Sequence, residues 1–345
     1  GSQWISALGT ASEVSLQDML LKTVKNSAAG WDHITQSLVK FGFVCVDSTG
    51  AFGRSAAQEY VSGIGFKIVI ELFELHEIVR SAILEQCFTR IITHASSVDK
   101  VVTVLETLIK EQPQVMMAFT QQIKDLFDYV SSLSPEIAAQ LLKAVQPLLR
   151  LRPELFDYVV LVFRKAVFNK EPTSRLIAVT GFVELVQLGD AAVLAGGGGG
   201  HAEQPANEMR AQAFGLFRRC LTQQYVVRER VYCSLAHMFD VSPSSREAIM
   251  ELLASQWSRY YRPKDSPDDE SAPFDLTDCL YADKKGLVVE EPLSALIRCI
   301  HTCCCHSSVQ SARADADDEE ADDSPIHLLP HELWEATDRM SSCTL

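Results

Sequence analysis

The stretch SPEIAAQLLKAVQPLLRLRPELFDYVVLVFRKAVFNKEPTSRLIAVTGF, residues 134–182, decides the fold. Inside it YVVLVF, residues 158–163, is a continuous branched and aromatic run that periodicity allows as either a buried strand or a buried helix. Its surroundings favour helix. Ser134-Pro135 and Pro153 each place a proline at the start of an apolar-striped segment, where the missing N–H would have had no intrahelical partner. No second strand candidate is available, and an isolated strand would leave its backbone unsatisfied. Beyond Arg164 the chain turns a polar corner carrying Lys165, Lys170 and Arg175 beside Pro172, and then opens another helix at Thr173-Ser174.

Working outward, the same unit recurs: an apolar-striped segment of helical period, closed by a turn signal. Ser15 precedes LQDMLLKTVKNS, and WDHITQSLVKFGFV follows Gly30. A looser stretch from Asp47 to Ser55 leads into one long segment, GFKIVIELFELHEIVRSAILEQCFTRIITHA. Ser97 precedes VDKVVTVLETLIKE, in which Val101, Val104, Leu105 and Leu108 share a face. GDAAVLAGGGGGHAEQPAN, residues 189–207, reads as a flexible loop because five consecutive glycines disfavour a helix. Helical patterns resume with EMRAQAFGLFRRCL, VVRERVYCSLAHMF and REAIMELLASQWSRYY; a second loop, rich in Pro and Asp, spans about 262–286. A helix near LSALIRCIHTCCC, an acidic linker at about 310–325 and a short closing helix, LPHELWEATDRM, complete the chain. Consecutive helical hairpins predict an all-α protein: an irregular α-solenoid of the HEAT or armadillo kind followed by a helical domain.

Composition sets the bounds. The 345 residues are 47% hydrophobic and 22% charged, enough for one large or two ordinary packed cores. The ten cysteines show no disulfide-module spacing, which fits a reduced intracellular compartment. No uninterrupted apolar run approaches the roughly 18 residues of a membrane span, so a soluble protein with no membrane partner is expected. The start at Gly1-Ser2, without methionine or a leader, reads as a piece of a longer chain. The formal net charge is −14, and Asp315, Asp317, Asp318, Glu319, Glu320, Asp322 and Asp323 supply much of it in one linker. From Lys143 to Arg175 the balance reverses: Lys143, Arg150, Arg152, Arg164, Lys165, Lys170 and Arg175 face only Glu154, Asp157 and Glu171. Arg218 and Arg219, with Arg228 and Arg230, form a second basic segment. WSRYYRPK, residues 257–264, interleaves aromatics with cations; it suits nucleic-acid stacking, or equally a helix end whose tyrosines close the core.

Catalytic patterns do not emerge: there is no GxSxG, no HExxH, no Walker loop and no glycine fingerprint, so neither enzyme activity nor a cofactor is expected. HTCCCH, residues 301–306, invites a zinc reading, but adjacent Cys303, Cys304 and Cys305 diverge around a helix. Only pairs such as Cys299 with Cys303 have the spacing to converge, and no second ligand pair lies nearby in sequence. Free cysteines at a half-buried helix end are the better reading.

VKNSAAGWDHITQSLVKFGFVCVDS (24–48), FELHEIVRSAILEQCFTRIITHASS (73–97), FDYVSSL (127–133), LLKAVQPLL (141–149), VLVFRKAVF (160–168) and RRCLTQQ (218–224) resemble the Fanconi anaemia group I family. The resemblance implies a nuclear, non-catalytic helical scaffold that pairs with its paralogue, the D2 protein, as a clamp on double-stranded or branched DNA in interstrand crosslink repair, controlled by monoubiquitination through a ubiquitin-ligase machinery. It also implies three parts: residues 1–40 as the end of a first helical domain, 44–190 as a second solenoid and 205–345 as the start of a second helical domain. In the family one ubiquitin is attached to a lysine in the first turn after the RKA-F corner. Here Leu176 holds that place and cannot form an isopeptide bond, leaving Lys170 as the nearest substitute. The family's Ser/Thr-Gln sites fall in the loop after this helix, yet residues 189–207 contain neither Ser nor Thr. Arg150, Arg164, Lys165, Arg218 and Arg219 are the phosphate-contact candidates, contacts that position DNA rather than read its sequence. The alternative is a protein-only adaptor solenoid that binds a peptide or partner and touches no nucleic acid. A basic surface favours the first, an apolar groove the second.

Overall fold

The computed structural model describes residues 17–26, 32–48, 55–93, 95–195, 200–263, 273–277, 279–283, 286–311 and 331–336. The architecture is the expected all-α one, with YVVLVF inside a helix. Two compact units, residues 1–162 and 163–345, divide the chain within that helix.

The first unit holds α1 (17–26), α2 (Asp32–Val46), α3 (Ala56–Leu75), α4 (Glu77–Ile92), α5 (Val98–Glu111), α6 (Pro113–Met116), α7 (Thr120–Asp128), α8 (Pro135–Leu151) and most of α9 (Pro153–Val167). Sequence periodicity becomes packing directly. On α5 the predicted face of Val101, Val104, Leu105 and Leu108 is at most 1% exposed, and it meets the stripe Leu141, Leu142, Val145 and Leu148 of α8. A fully buried Leu or Val contributes about 1.5–3 kcal/mol relative to an exposed one. Ser134 caps α8 by accepting from the Ile137 amide at 3.3 Å, with Pro135 at the first position. α2 and α3 cross at glycines: a Cβ on Gly65 would lie 2.5 Å from the Gly42 carbonyl oxygen, so the two backbones approach only because neither has a side chain. Asp47, just past α2, ties three helices by accepting from Ser97 at the start of α5 and pairing with Arg90 of α4 at 3.0 Å.

The second unit holds the end of α9, α10 (Pro172–Ala195), α11 (Gly200–Cys220), α12 (Tyr225–Val241), α13 (Arg246–Tyr260), the antiparallel hairpin β1 (Leu280–Asp283)–β2 (Gly286–Val289), α14 (Leu293–Ser311) and a last helical turn α15 at 331–336. α12 is central, packing on α10, α11, α13 and α14. Gly181 of α10 lets the fully packed Phe163 ring come within 2.8 Å of where a Cβ would stand.

Four expectations change. The long segment through residues 65–95 is two helices, because His76 leaves the helical region at φ −120°, ψ 99° and ends α3 where α4 begins. The expected loop at 189–207 is largely helix. Residues 189–195 extend α10 and 200–207 open α11, since the apolar contacts of α10 with α11 outweigh local glycine and proline content; residues 196–199 lie outside the described set. The loop at 262–286 carries an isolated bridge between Tyr261 and Phe274, and its end is a strand. Finally, residues Pro172–Leu194 of α10 are long and apolar enough to cross a membrane by length and composition, although no uninterrupted apolar run suggested it. This stretch is 56% buried against the rest of its unit and includes buried Glu184, the pattern of a core helix. The helix start expected at Ser15 and the acidic stretch 312–325 fall outside the described residues.

Candidate functional site

The corner between α9 and α10 is a tightly pinned turn. α9 unwinds through bonds from the Phe168 amide to Lys165 and the Asn169 amide to Ala166, both 3.1 Å. The Asn169 side chain then accepts from the Glu171 amide at 3.1 Å. Arg175 reaches back from α10, donating to the carbonyls of Asn169 at 2.6 Å and Lys170 at 3.4 Å, and to Gln223 in the neighbouring α11–α12 turn at 3.4 Å. Its charge is thereby committed to holding two corners together.

Around this pinned turn stand cations that are not committed. Arg164 and Lys165 in the last turn of α9 and Lys170 in the corner are exposed and form no salt bridge among the described residues. The end of α11 brings in Arg219, whose guanidinium lies 4.5 Å from the centre of the Phe168 ring, and its neighbour Arg218. Arg218 pairs with Glu251 at 3.8 Å, both side chains more than half exposed, a contact that solvent screens to little value. Four of the sequence candidates thus gather with Lys170 around one corner. Arg150 is exposed in the last turn of α8 and belongs to the first unit. Leu176 is half-buried on α10, an apolar residue on a packed helix.

Other candidates resolve differently. Arg228 is not a surface cation: it is 6% exposed and donates to Glu291 at 2.8 Å and Glu290 at 3.0 Å. Glu291, 1% exposed at the end of the hairpin, also accepts from the hydroxyls of Tyr232 at 2.6 Å and Tyr260 at 3.0 Å. Burial and the adjacent Glu291 carboxylate push the Tyr260 hydroxyl up to about 12 and that of Tyr232 higher still. In WSRYYRPK the aromatics Trp257, Tyr260 and Tyr261 are all below 5% exposed and Arg262 pairs with Asp275 at 2.9 Å, so this segment closes the core and offers no stacking surface. At the end of α14, the buried free thiol of Cys299 is pushed up by its hydrogen bond with the Cys303 thiol and by burial, while Cys305 lies 3.6 Å from His301. Among the described residues, no three metal-ligating side chains converge.

Beside the corner runs a groove of about 690 Å³ with a mixed lining, Pro172, Val226, Val288 and Val289 on its apolar side and Arg175 and Glu290 among its polar residues. The hairpin supplies its outer wall and leaves Leu287 70% exposed. Two features escaped sequence reasoning: Phe168, whose only signal was an aromatic three residues after a pair of cations at a helix end, and the Glu291 lock, which had none.

Comparison with known proteins accords with this architecture. The family description FANCI solenoid 2 matches residues 34–183, and FANCI helical domain 2 matches residues 201–345. The Fanconi anemia group I protein of Gallus gallus is 31% identical over 93% of this chain and 26% of its own length. The Fanconi anemia group I protein homolog of Mus musculus is 27% identical over 88% of this chain and 25% of its own. The chain spans about a quarter of the length of these curated relatives. With both helical units matched by descriptions of a single family and most of the sequence aligned to its members, the chain belongs to the Fanconi anaemia group I family.

Proposed function

We propose that this chain is part of a non-enzymatic nuclear scaffold for interstrand crosslink repair, holding DNA by its phosphates and pairing with the paralogous D2 protein in a clamp. The domain limits 1–40, 44–190 and 205–345 belong to the same reading. The observation that carries it is the corner: Arg164, Lys165, Lys170, Arg218 and Arg219 gather in a protein of net charge −14, and most of them lack an acidic partner. Phosphate neutralisation releases counterions, so log affinity falls against log salt with a slope of about 0.9 per phosphate. Titration of the full-length protein with its D2 partner on duplex DNA, from about 50 to about 200 mM salt, should show that steep fall. Arg164→Glu with Lys165→Glu should flatten the slope by about 1.8. A slope that the reversal leaves unchanged overturns the assignment.

Lys170 is the proposed ubiquitin acceptor, because its ammonium is exposed in the turn that precedes the family's usual position. Reconstituted conjugation followed by mass spectrometry should find the remnant on Lys170. A modified partner with no remnant on this chain would make it an unmodified scaffold.

The groove favours a second reading, a protein-only adaptor. A two-stranded hairpin in a helical protein is marginal alone and presents strand edges to an extended partner segment. Leu287→Asp with Val289→Asp leaves every corner cation in place. Lost partner capture with intact DNA affinity supports that use of the groove, whereas unchanged capture removes it.

A further inference from the structure

Several arginines in this protein lie over aromatic rings, and most of these pairs are internal staples. Arg90 sits 4.5 Å from the centre of the Phe43 ring, which is fully buried, and its guanidinium is bonded to Asp47 and Gln86. Arg80 over Phe73 and Arg246 over Phe239 follow the same plan: each ring is at most 2% exposed, and each guanidinium donates to its own phenylalanine's carbonyl at 2.9 Å. In all three the cation is anchored and the ring is spent in the core.

Arg219 and Phe168 depart from that plan. The separation is again 4.5 Å, but the ring is 57% exposed and Arg219 makes neither an ion pair nor a side-chain hydrogen bond among the described residues. An aromatic left in water beside a planar, unanchored cation is a poor staple. It is well suited to a planar, electron-rich ligand that carries negative charge. The surroundings supply cations for that charge: Arg164 lies one helical turn before Phe168, Lys165 three residues before it and Lys170 two residues after it, all three exposed.

We propose that Phe168 and Arg219 form a stacking seat for an unpaired nucleobase, with the adjoining phosphates held by Arg164, Lys165 and Lys170. Every base has a π-face, so such a seat is indifferent to sequence. In an intact duplex the faces are already stacked on one another. The seat therefore selects DNA in which at least one base is free, as in a single strand or a gap. This rests on the corner binding DNA at all, and the experiment separates the two claims.

Full-length protein would be titrated by fluorescence anisotropy, at one fixed salt concentration, with a single strand, a gapped duplex and an intact duplex. The variants are Phe168→Leu, which keeps apolar bulk and removes the ring; Arg219→Lys, which keeps charge and removes the planar face; and the Arg164→Glu, Lys165→Glu pair. Thermal midpoints check folding. Stacking predicts that Phe168→Leu weakens binding about five-fold or more on the single strand and the gap, with little change on the duplex. Arg219→Lys should follow in the same direction. A 2-aminopurine placed in the gap should be quenched by the wild-type protein and less so by Phe168→Leu. If Phe168→Leu changes no substrate, or all three equally, while charge reversal weakens all three, the corner binds phosphates and the stacking seat is overturned. If charge reversal also changes nothing, the DNA reading fails and takes the seat with it.

Discussion

The two units bury their interiors by different means. Among the described residues of the first unit the core is almost wholly apolar, with Thr35, Ser62 and Ser97 as its buried polar residues. The second unit buries Glu184, Arg228, Gln256, Glu291 and several serines, and it knots the hairpin to α12 and α13 through Arg228, Tyr232, Tyr260 and Glu291. The contrast follows from what each must position. Helices stacked on helices meet through periodic apolar faces, which suffice to fix them. A short hairpin has no such face, so its placement rests on directional bonds, which are costly to leave unmade once buried.

The sharpest way to break this comparison is Glu291→Ala. It removes the buried one of the two carboxylates on Arg228, leaving Glu290, and takes the acceptor from two tyrosine hydroxyls, so it should destabilise the second unit by about 3 kcal/mol. Hydrogen exchange should then rise across α12, α13 and α14 while α3–α5 keep their protection. Uniform loss in both units would show that they share one cooperative core.

The counterpart in the first unit is Gly65→Ala. Its Cβ would meet the Gly42 carbonyl oxygen, the Cys45 Cβ at 2.6 Å and the Val46 nitrogen at 2.8 Å. Backbone cannot rotate aside as a side chain can, so a loss of about 1–3 kcal/mol is expected, read as faster exchange in α2 and α3. A neutral outcome would mean that α2 and α3 slide apart freely.

Alkaline pH sharpens the contrast further. The Tyr260 hydroxyl is raised from 10.0 to about 12, so the folded protein holds that proton more tightly than the unfolded chain. The stabilisation is complete below pH 10 and is lost as pH rises through about 12. Tyr158 in the first unit is also raised to about 12, chiefly by its hydrogen bond to Asp128, but it lies near the surface. Between those limits, Tyr260→Phe should flatten the fall of the thermal midpoint more than Asp128→Asn does. Equal flattening would place the two networks on the same footing.

The smallest effect expected is Ser134→Ala, which removes the α8 cap and costs about 1 kcal/mol. Urea midpoints of the two variants, Ser134→Ala and Glu291→Ala, then set the scale between a local cap and a buried network.

Much of the first unit was legible because its signals are local. Proline at the first helical position marked α8 and α9, and the i, i+3, i+4 stripe of α5 named its own core. Where local signals and packing conflict, packing won: glycine and proline content predicted a loop through 189–207, but α10 and α11 gain enough contact to remain helical on both sides of residues 196–199. At the corner, sequence pointed to Arg164, Lys165, Arg218 and Arg219 as charges. It could not say that Arg175 and Arg228, equally basic, are spent on structure.

The sequence by itself determined the helical class, the corner between α9 and α10, and the family. Each of these is written in residues close along the chain or in long ordered blocks. Only the tertiary structure decided which cations are free, that Phe168 stands in solvent beneath Arg219, and that Glu291 is the buried anchor of a hairpin. Those outcomes depend on residues 51 to 63 positions apart meeting in space, and no local pattern records which of two similar arginines will find a partner there.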